Sequence, residues 1–291
     1  MILGNNTNSS EIYDEITDAS IIEGLSRGDF RFNIAIAGAG SIGTVLGLLL
    51  SRGGHEVTLI RKREPFGNIV IEMVGEESFR HTINVVNSKI RREEYNKLTP
   101  DIIFLAAQRQ QLSAQLEDLS DIISFVNDPI MIPLQNGLGT AQIVCNWIKE
   151  EGLNLPLLQA IIWWSATLQE TDLVLYHSKA VTTLGIPKKS VCQAATQKDL
   201  AIVTNLLNPI LEVKHVDIDN EPYVKLILNV VSPVLALVKQ PYPTGVNDLN
   251  VRKIIRLLFE EVMDIGRKEG WYQDDPRLEG FYKILQGNEK L

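Results

Sequence analysis

For most of its length the chain alternates short apolar runs with segments of helical period, and then it turns to helical patterns alone. "FNIAIAGAG" (32–40) is an apolar run closing on glycines and predicts a buried strand. "SIGTVLGLLLSRGG" (41–54) predicts a helix stopped by Gly53 and Gly54. "HEVTLI", "NIVIEMV" and "HTINVVNS" predict three further strands. "DIIFLAA" is followed by the amphipathic "QQLSAQLEDLSDIISFV", and "PIMIPLQ" by the helical "GTAQIVCNWIKEE". Such alternation predicts a parallel sheet covered on both faces. "LLQAIIWWSATLQ", "DLVLYHS" and "VTTLGIP" then each predict a strand, followed by a helix at about Ala194–Leu207 and the strand "EVKHVD". From Asn220 onward every pattern is helical. The expected organisation is an acidic N-terminal segment (1–31), an α/β domain with a doubly wound sheet (32–216) and an all-helical C-terminal domain (217–291).

The turn between the first strand and helix carries a chemical signal. "GAGSIG" is Gly38, Ala39, Gly40, Ser41, Ile42 and Gly43, a G-x-G-x-x-G string placed after a strand and opening a helix. In a dinucleotide site the first glycine makes the tight turn, the second lets the backbone approach a pyrophosphate, and the third permits close helix–strand packing. The free N–H groups of the helix then face the phosphates. The plainer reading is a turn that needs positive φ. Where an NAD site usually shows an acid for the ribose hydroxyls, this chain has "IRKR", with Arg61, Lys62 and Arg63. A guanidinium matches a 2′-phosphate, so NADP(H) is expected, with Arg61 as its main ligand. NAD remains the other choice, and solvated loop charges the plainer one.

"NEPYVKLILNVVSPVLALVK" (220–239) is apolar on every helical face except for Lys225, Asn229 and Ser232. These three stand at i, i+4 and i+7 and so share a face. A helix apolar all round is expected to be buried, which places that stripe at a cleft. Pro233 has no N–H, so a kink is expected there, with the carbonyl of Asn229 left as a spare acceptor. A lysine half out of water suits ketone reduction. Its ammonium stabilises the developing alkoxide and supplies the proton. A snorkelling lysine on a core helix fits the same pattern.

Composition narrows the classes. The formal net charge is −8, with no basic block, which argues against phosphate-backbone binding to nucleic acid. Lys225, Asn229, Ser232 and Pro233 interrupt the most apolar stretch, so no membrane span is expected. Cys145 and Cys192 form no disulfide framework or zinc pattern, and the four histidines are scattered. With no visible leader, a cytoplasmic protein is expected. The acidic first segment has one short amphipathic turn, at Ile21, Ile22 and Leu25. Trp163 and Trp164 are expected as core and interface residues rather than as an aromatic ligand platform, and Asn208-Pro209 and Gln240-Pro241 in turns.

Taken in order, four stretches resemble the ketopantoate reductase (2-dehydropantoate 2-reductase) family. They are "GAGSIG" with Arg61, "PLQNGLGT" with Asn136, "VKLILNVVSP" with Lys225 and Asn229, and "RKEGW". The resemblance implies a Rossmann-type domain followed by a helical one, with the active site between them, and a place in pantothenate biosynthesis. It implies NADPH-dependent reduction of a small 2-oxo acid, Lys225 as proton donor, Asn229 on the substrate, Asn136 on the cofactor and the lysine, and Ala166 of "SATLQE" at a cofactor contact. A homodimer is a further expectation. The sequence departs from the family at four points. Gln108, beside Arg109, stands where the family has a lysine. Ser232 replaces a second helix asparagine, one residue short in spacing, and Thr244 of "YPTG" replaces a later one. The family's later helices, which supply a serine and a glutamate, have no counterpart after "GFYKILQGNEKL". These departures keep two alternatives open: an NADP(H)-binding relative without catalysis, and a reductase for another substrate in which Arg109 binds the anion.

Overall fold

The structure, a computed structural model, describes residues 31–89, 98–125, 128–188, 195–271 and 274–287. The acidic segment with its expected turn, Cys192 and the expected helix start at Ala194 lie outside the described residues. The chain divides into two compact units: one runs to Ile218, and the other begins at Asp219 and also takes in Asn136–Leu138.

The first unit is built on β1 (Asn33–Ala37), β2 (Glu56–Arg61), β3 (Gly67–Gly75), β4 (Phe79–Asn87), β5 (Ile102–Leu105), β6 (Ile130–Pro133), β8 (Ser165–Glu170) and β9 (Leu173–Ser178). They form one eight-stranded sheet in the order β6-β5-β1-β2-β4-β3-β9-β8. The run from β6 to β4 is parallel throughout. Beyond it the sheet is mixed: β3 runs antiparallel to β4, and β8 antiparallel to β9. The parallel part is doubly wound, as expected. From β1 the chain goes to β2 on one side and places β5 on the other, so the sheet's switch point lies between β1 and β5.

The central strands β1, β5 and β6 are almost wholly apolar and buried because both faces are covered. In β1, Ile34 and Ile36 join one core cluster while Ala35 and Ala37 join the other. Helix α1 (Ser41–Arg52) packs into the first cluster with Val45, Leu46, Leu48 and Leu49. Its Gly47 lies so close to the sheet that a Cβ there would meet Leu59 Cδ2 at 2.6 Å. Helices α2 (Leu112–Ile122) and α3 (Thr140–Glu150) cover the other face with Leu116, Val144 and Trp147.

The tryptophan segment corrects one expectation. "LLQAIIWWSATLQ" is two strands, not one: β7 (Gln159–Ile162) belongs to a second, three-stranded sheet and β8 to the first. Trp163 and Trp164 form the corner. The Trp164 indole donates to Thr182 Oγ1 at 3.1 Å and meets Tyr176 edge-on, which fixes the change of direction. The second sheet has the order β11-β10-β7, with β10 (Thr182–Gly185) and β11 (Val213–His215) parallel. Helix α4 (Gln197–Leu207) precedes β11 and starts at a capping box of Thr196 and Asp199.

The second unit is helical: α5 (Glu221–Leu228), α6 (Val231–Val238), α7 (Tyr242–Asn247), α8 (Leu249–Lys268) and α9 (Pro276–Leu285). Taken as one span, Glu221–Val238 is long and apolar enough to cross a membrane, with mean hydropathy 1.5. The chain breaks it into two eight-residue helices, however. Each rises about 12 Å, well short of a ~30 Å hydrocarbon core. The break falls at Asn229–Val230, before the expected kink at Pro233. The Asn229 carbonyl is no spare acceptor, because Ser232 N–H donates to it at 3.2 Å. All-round burial also fails beyond the break: Ile227 is fully buried but Leu237 is 83% exposed, since α6 presents only Val231, Val234 and Leu235 to its neighbours.

Candidate functional site

The glycine turn sits at the switch point, and its three glycines have different surroundings. Gly38 has φ +97°, and a Cβ on it would lie 2.5 Å from the backbone nitrogen of Ala107, just past the end of β5. Two features hold this approach: Ala106 N–H donates to Ala37 O at 2.7 Å, and Gly38 N–H to Ile60 O at 3.0 Å. Gly43 faces the carbonyl oxygen of Gly38, closer than any side chain permits. Gly40 is different, with nothing within 4 Å of where its Cβ would be. It is also the N-cap of α1, with no side-chain cap and no acid in the helix's first turn. Open space over the second glycine, beside uncapped N–H groups, fits a pyrophosphate. Ala39 is buried and Ile42 packs on the first core cluster. Ser41 Oγ accepts the N–H of Leu168 at 3.1 Å, which ties the turn to β8, the strand of Ala166.

Arg61 ends β2 and is 9% exposed. Its Nη1 donates to Thr171 O at 3.1 Å and its Nη2 to Pro65 O at 2.6 Å. Burial pushes its pKa below the ordinary arginine value, against the pull of Asp172. The guanidinium therefore braces two loops. Lys62, exposed, pairs with Asp118 at 3.1 Å, and Arg63 is exposed.

Gln108 and Arg109 follow β5. Gln108 is the exposed N-cap of a short 3-10 turn, Arg109–Gln111, and its Oε1 accepts from Gln110 Nε2 at 2.7 Å. Arg109 Nη2 lies 3.7 Å from the position a Cβ on Gly139 would take. Asn136 follows β6 and is exposed. The two glycines after it both have positive φ, Gly137 at 104° and Gly139 at 76°, so the N-G-x-G turn is needed to reach α3.

Lys225 lies in the last turn of α5 and is half-buried. Desolvation lowers its pKa from 10.5 to about 8; Glu221 opposes this and Arg277 adds to it. Val224 and Ile227 anchor α5 in the core of the unit. Tyr223 packs its ring on Trp271, 5.1 Å between centroids, just past the positive-φ Gly270 that closes "RKEGW". Asn229 caps the C-terminus of α5 and is half-buried. Ser232 on α6 and Thr244 on α7 are exposed. Thus Gly38 to Gly43, Arg61, Gln108 and Ala166 lie in the first unit, and Asn136, Lys225, Asn229, Ser232 and Thr244 in the second.

Residues 34–189, more than half of the chain, match the family model described as ketopantoate reductase PanE/ApbA. The chain belongs to the ketopantoate reductase PanE/ApbA family. This is a family of NAD(P)-dependent oxidoreductases, and the relationship is distant. A glycerol-3-phosphate dehydrogenase [NAD(P)+] of Halalkalibacterium halodurans is 26% identical over 172 residues, 58% of this chain and 48% of that protein. A 2-dehydropantoate 2-reductase of Lactococcus lactis is 29% identical over 126 residues, 41% of this chain and 38% of that protein. The matched part of this ketopantoate reductase family member thus spans less than half the length of these curated relatives. Among solved structures, a D-mandelate dehydrogenase with NADH and anilino(oxo)acetate superposes with a TM-score of 0.69, at 20% identity, over 86% of this chain and 78% of that one.

Three residues of this family member escaped the sequence reading: Glu221, Asp275 and Arg277. Arg277 Nη2 donates to Glu221 Oε1 at 2.7 Å and Nη1 to Oε2 at 3.1 Å. Asp275, the N-cap of α9, accepts from Arg277 Nε at 2.9 Å and from Nη2 at 2.7 Å. Burial raises the Asp275 pKa, but these bonds and the arginine's charge outweigh it and hold the carboxyl below its usual range. The i, i+4 spacing of Glu221 and Lys225 was the one signal available in the sequence.

Proposed function

We propose that this protein uses NADPH to reduce a small, ketopantoate-like 2-oxo acid to the 2-hydroxy acid. The observation that carries the reading is Lys225, an amine whose pKa burial lowers to about 8 on a helix that also carries Asn229. A general acid works best with a pKa near the operating pH. The glycine turn, with its open approach at Gly40, supports dinucleotide binding through residues 38–43, with Ala166, Gln108 and Asn136 as further contacts. The cations of the "IRKR" segment favour NADP(H) over NAD. Arg61 was expected on the 2′-phosphate; with its guanidinium on two carbonyls, exposed Arg63 shares that role in the proposal.

NADPH, when bound, would supply the hydride. Lys225 Nζ would hydrogen-bond the ketone oxygen beforehand, stabilise the negative charge that develops there, and deliver the proton. Asn229, with Ser232 and Thr244, orients the substrate, and Asn136 links the cofactor with the lysine. A homodimer, a cytoplasmic setting and a pantothenate role belong to the same reading.

A second reading keeps NADP(H) binding without catalysis. Gln108 favours it, since that residue replaces a family lysine and is hydrogen-bonded to Gln110. A fluorescence titration with NADPH and NADH, followed by a panel of 2-oxo acids, separates the two. Consumption of NADPH with one of the acids, lost in Lys225→Ala while cofactor binding stays within twofold, is the expected result. Tight binding without consumption favours the second reading, and binding of neither nucleotide overturns both.

A further inference from the structure

The acidity of Lys225 depends on groups that the proposed reaction does not use. Glu221 stands one turn before it on α5 and is 5% exposed. It is not free to swing, because Arg277 holds both its oxygens from the first turn of α9, and Asp275 holds Arg277. Pro222, in the first turn of α5, presets the helical backbone beneath this pair. Two charged groups that act on the amine are Glu221 from its own helix and Arg277 from α9. On α8, which also packs against α5, Glu260 is engaged by Tyr282 Oη at 2.8 Å. The contact at the end of α8 is aromatic, Trp271 on Tyr223.

We infer that Glu221 is a positioning residue for Lys225, and that Arg277 tempers it. A buried carboxylate fixed from a second helix keeps the ammonium charged, while the arginine competes for that carboxylate and stops it from locking the lysine into a closed ion pair. Desolvation alone would drive the amine towards its neutral form, which has no proton to give. An unshared Glu221 would hold the proton too firmly. Sharing the carboxylate leaves a donor that is protonated at neutral pH and still acidic enough to transfer. The inference rests on the proposed role of Lys225, and its test is separate from turnover.

The test is an NMR titration of the full chain carrying 13C-methyl groups on its lysines, with the Lys225 signal assigned by Lys225→Arg. Glu221→Gln keeps the shape and the contact with Arg277 but removes the negative charge. The expected result is a lower Lys225 pKa, by about one unit or tenfold in proton affinity. A merely structural Glu221 predicts the opposite sign, because loosening α5 hydrates the amine and raises its pKa towards 10.5. Arg277→Met should raise the Lys225 pKa and Arg277→Lys should restore it. An upward shift or no shift in Glu221→Gln overturns the inference. Failure of every 2-oxo acid to react would instead count against the reductase reading, and the titration reads the coupling regardless.

Discussion

Arg277 grips both carboxylate oxygens of Glu221, at 2.7 and 3.1 Å, across 56 residues of chain. This pair closes the first turn of α5 against the first turn of α9. One partner is buried and the other is 39% exposed, so solvent screens part of the interaction. Arg277→Met leaves a buried carboxylate without its partner. It should lower stability by about 1–3 kcal/mol, below the ~3–5 kcal/mol of a fully buried pair, as read by urea denaturation.

The glycine turn separates folding from binding. Gly43→Ala sets a Cβ against the Gly38 carbonyl and should destabilise by about 2 kcal/mol or more. Gly40→Val meets open space, so it should melt within a degree or two of the parent. It should nevertheless lose at least about tenfold in NADPH affinity, because the new side chain fills the approach to the helix N-terminus. Thermal melts and cofactor titrations of the two variants check this contrast. Equal loss of binding and stability in both would defeat it.

The "IRKR" segment gives a selectivity test. Arg63→Ala should weaken NADPH about tenfold and leave NADH nearly unchanged, since only the former carries the 2′-phosphate. Arg61→Ala should weaken both and lower the melting temperature, because it removes the brace to Thr171 and Pro65. Matched dissociation constants for the two cofactors decide between the side chains.

Lys225 links pH to both rate and stability. The protonated amine is the acid, so the reduction rate should be flat below about pH 8 and fall tenfold per unit above it. For stability the sign is opposite to that of an ordinary paired lysine. The folded pKa lies below the unfolded 10.5, so between about 8 and 10.5 the unfolded chain binds more protons and stability rises with pH. Lys225→Met should abolish turnover yet gain about 1–2 kcal/mol at pH 7, a gain that shrinks to nothing above the window. Denaturation midpoints at several pH values check both statements.

The sequence by itself determined the elements whose signal is local. β1, α1 and the G-x-G-x-x-G turn were legible because an apolar run, a helical period and glycines at fixed offsets need no distant partner. Lys225 and Asn229 were legible for the same reason, but Ser232, expected on their face, falls beyond the break on α6 and is exposed, so the three do not form one stripe. Tertiary structure decided the rest. The tryptophan run reads as one strand, and only the bond from Trp164 to Thr182 and the edge contact with Tyr176 bend it between two sheets. The sequence offered Arg61 as a cation at the end of β2, but not its hydrogen bond to the carbonyl of Thr171, 110 residues away. Glu221 becomes a fixed charge beside the lysine only once α9 delivers Arg277. Periodicity records which face of an element is apolar, but the pairing of a buried charge depends on which distant groups packing brings within reach of a hydrogen bond.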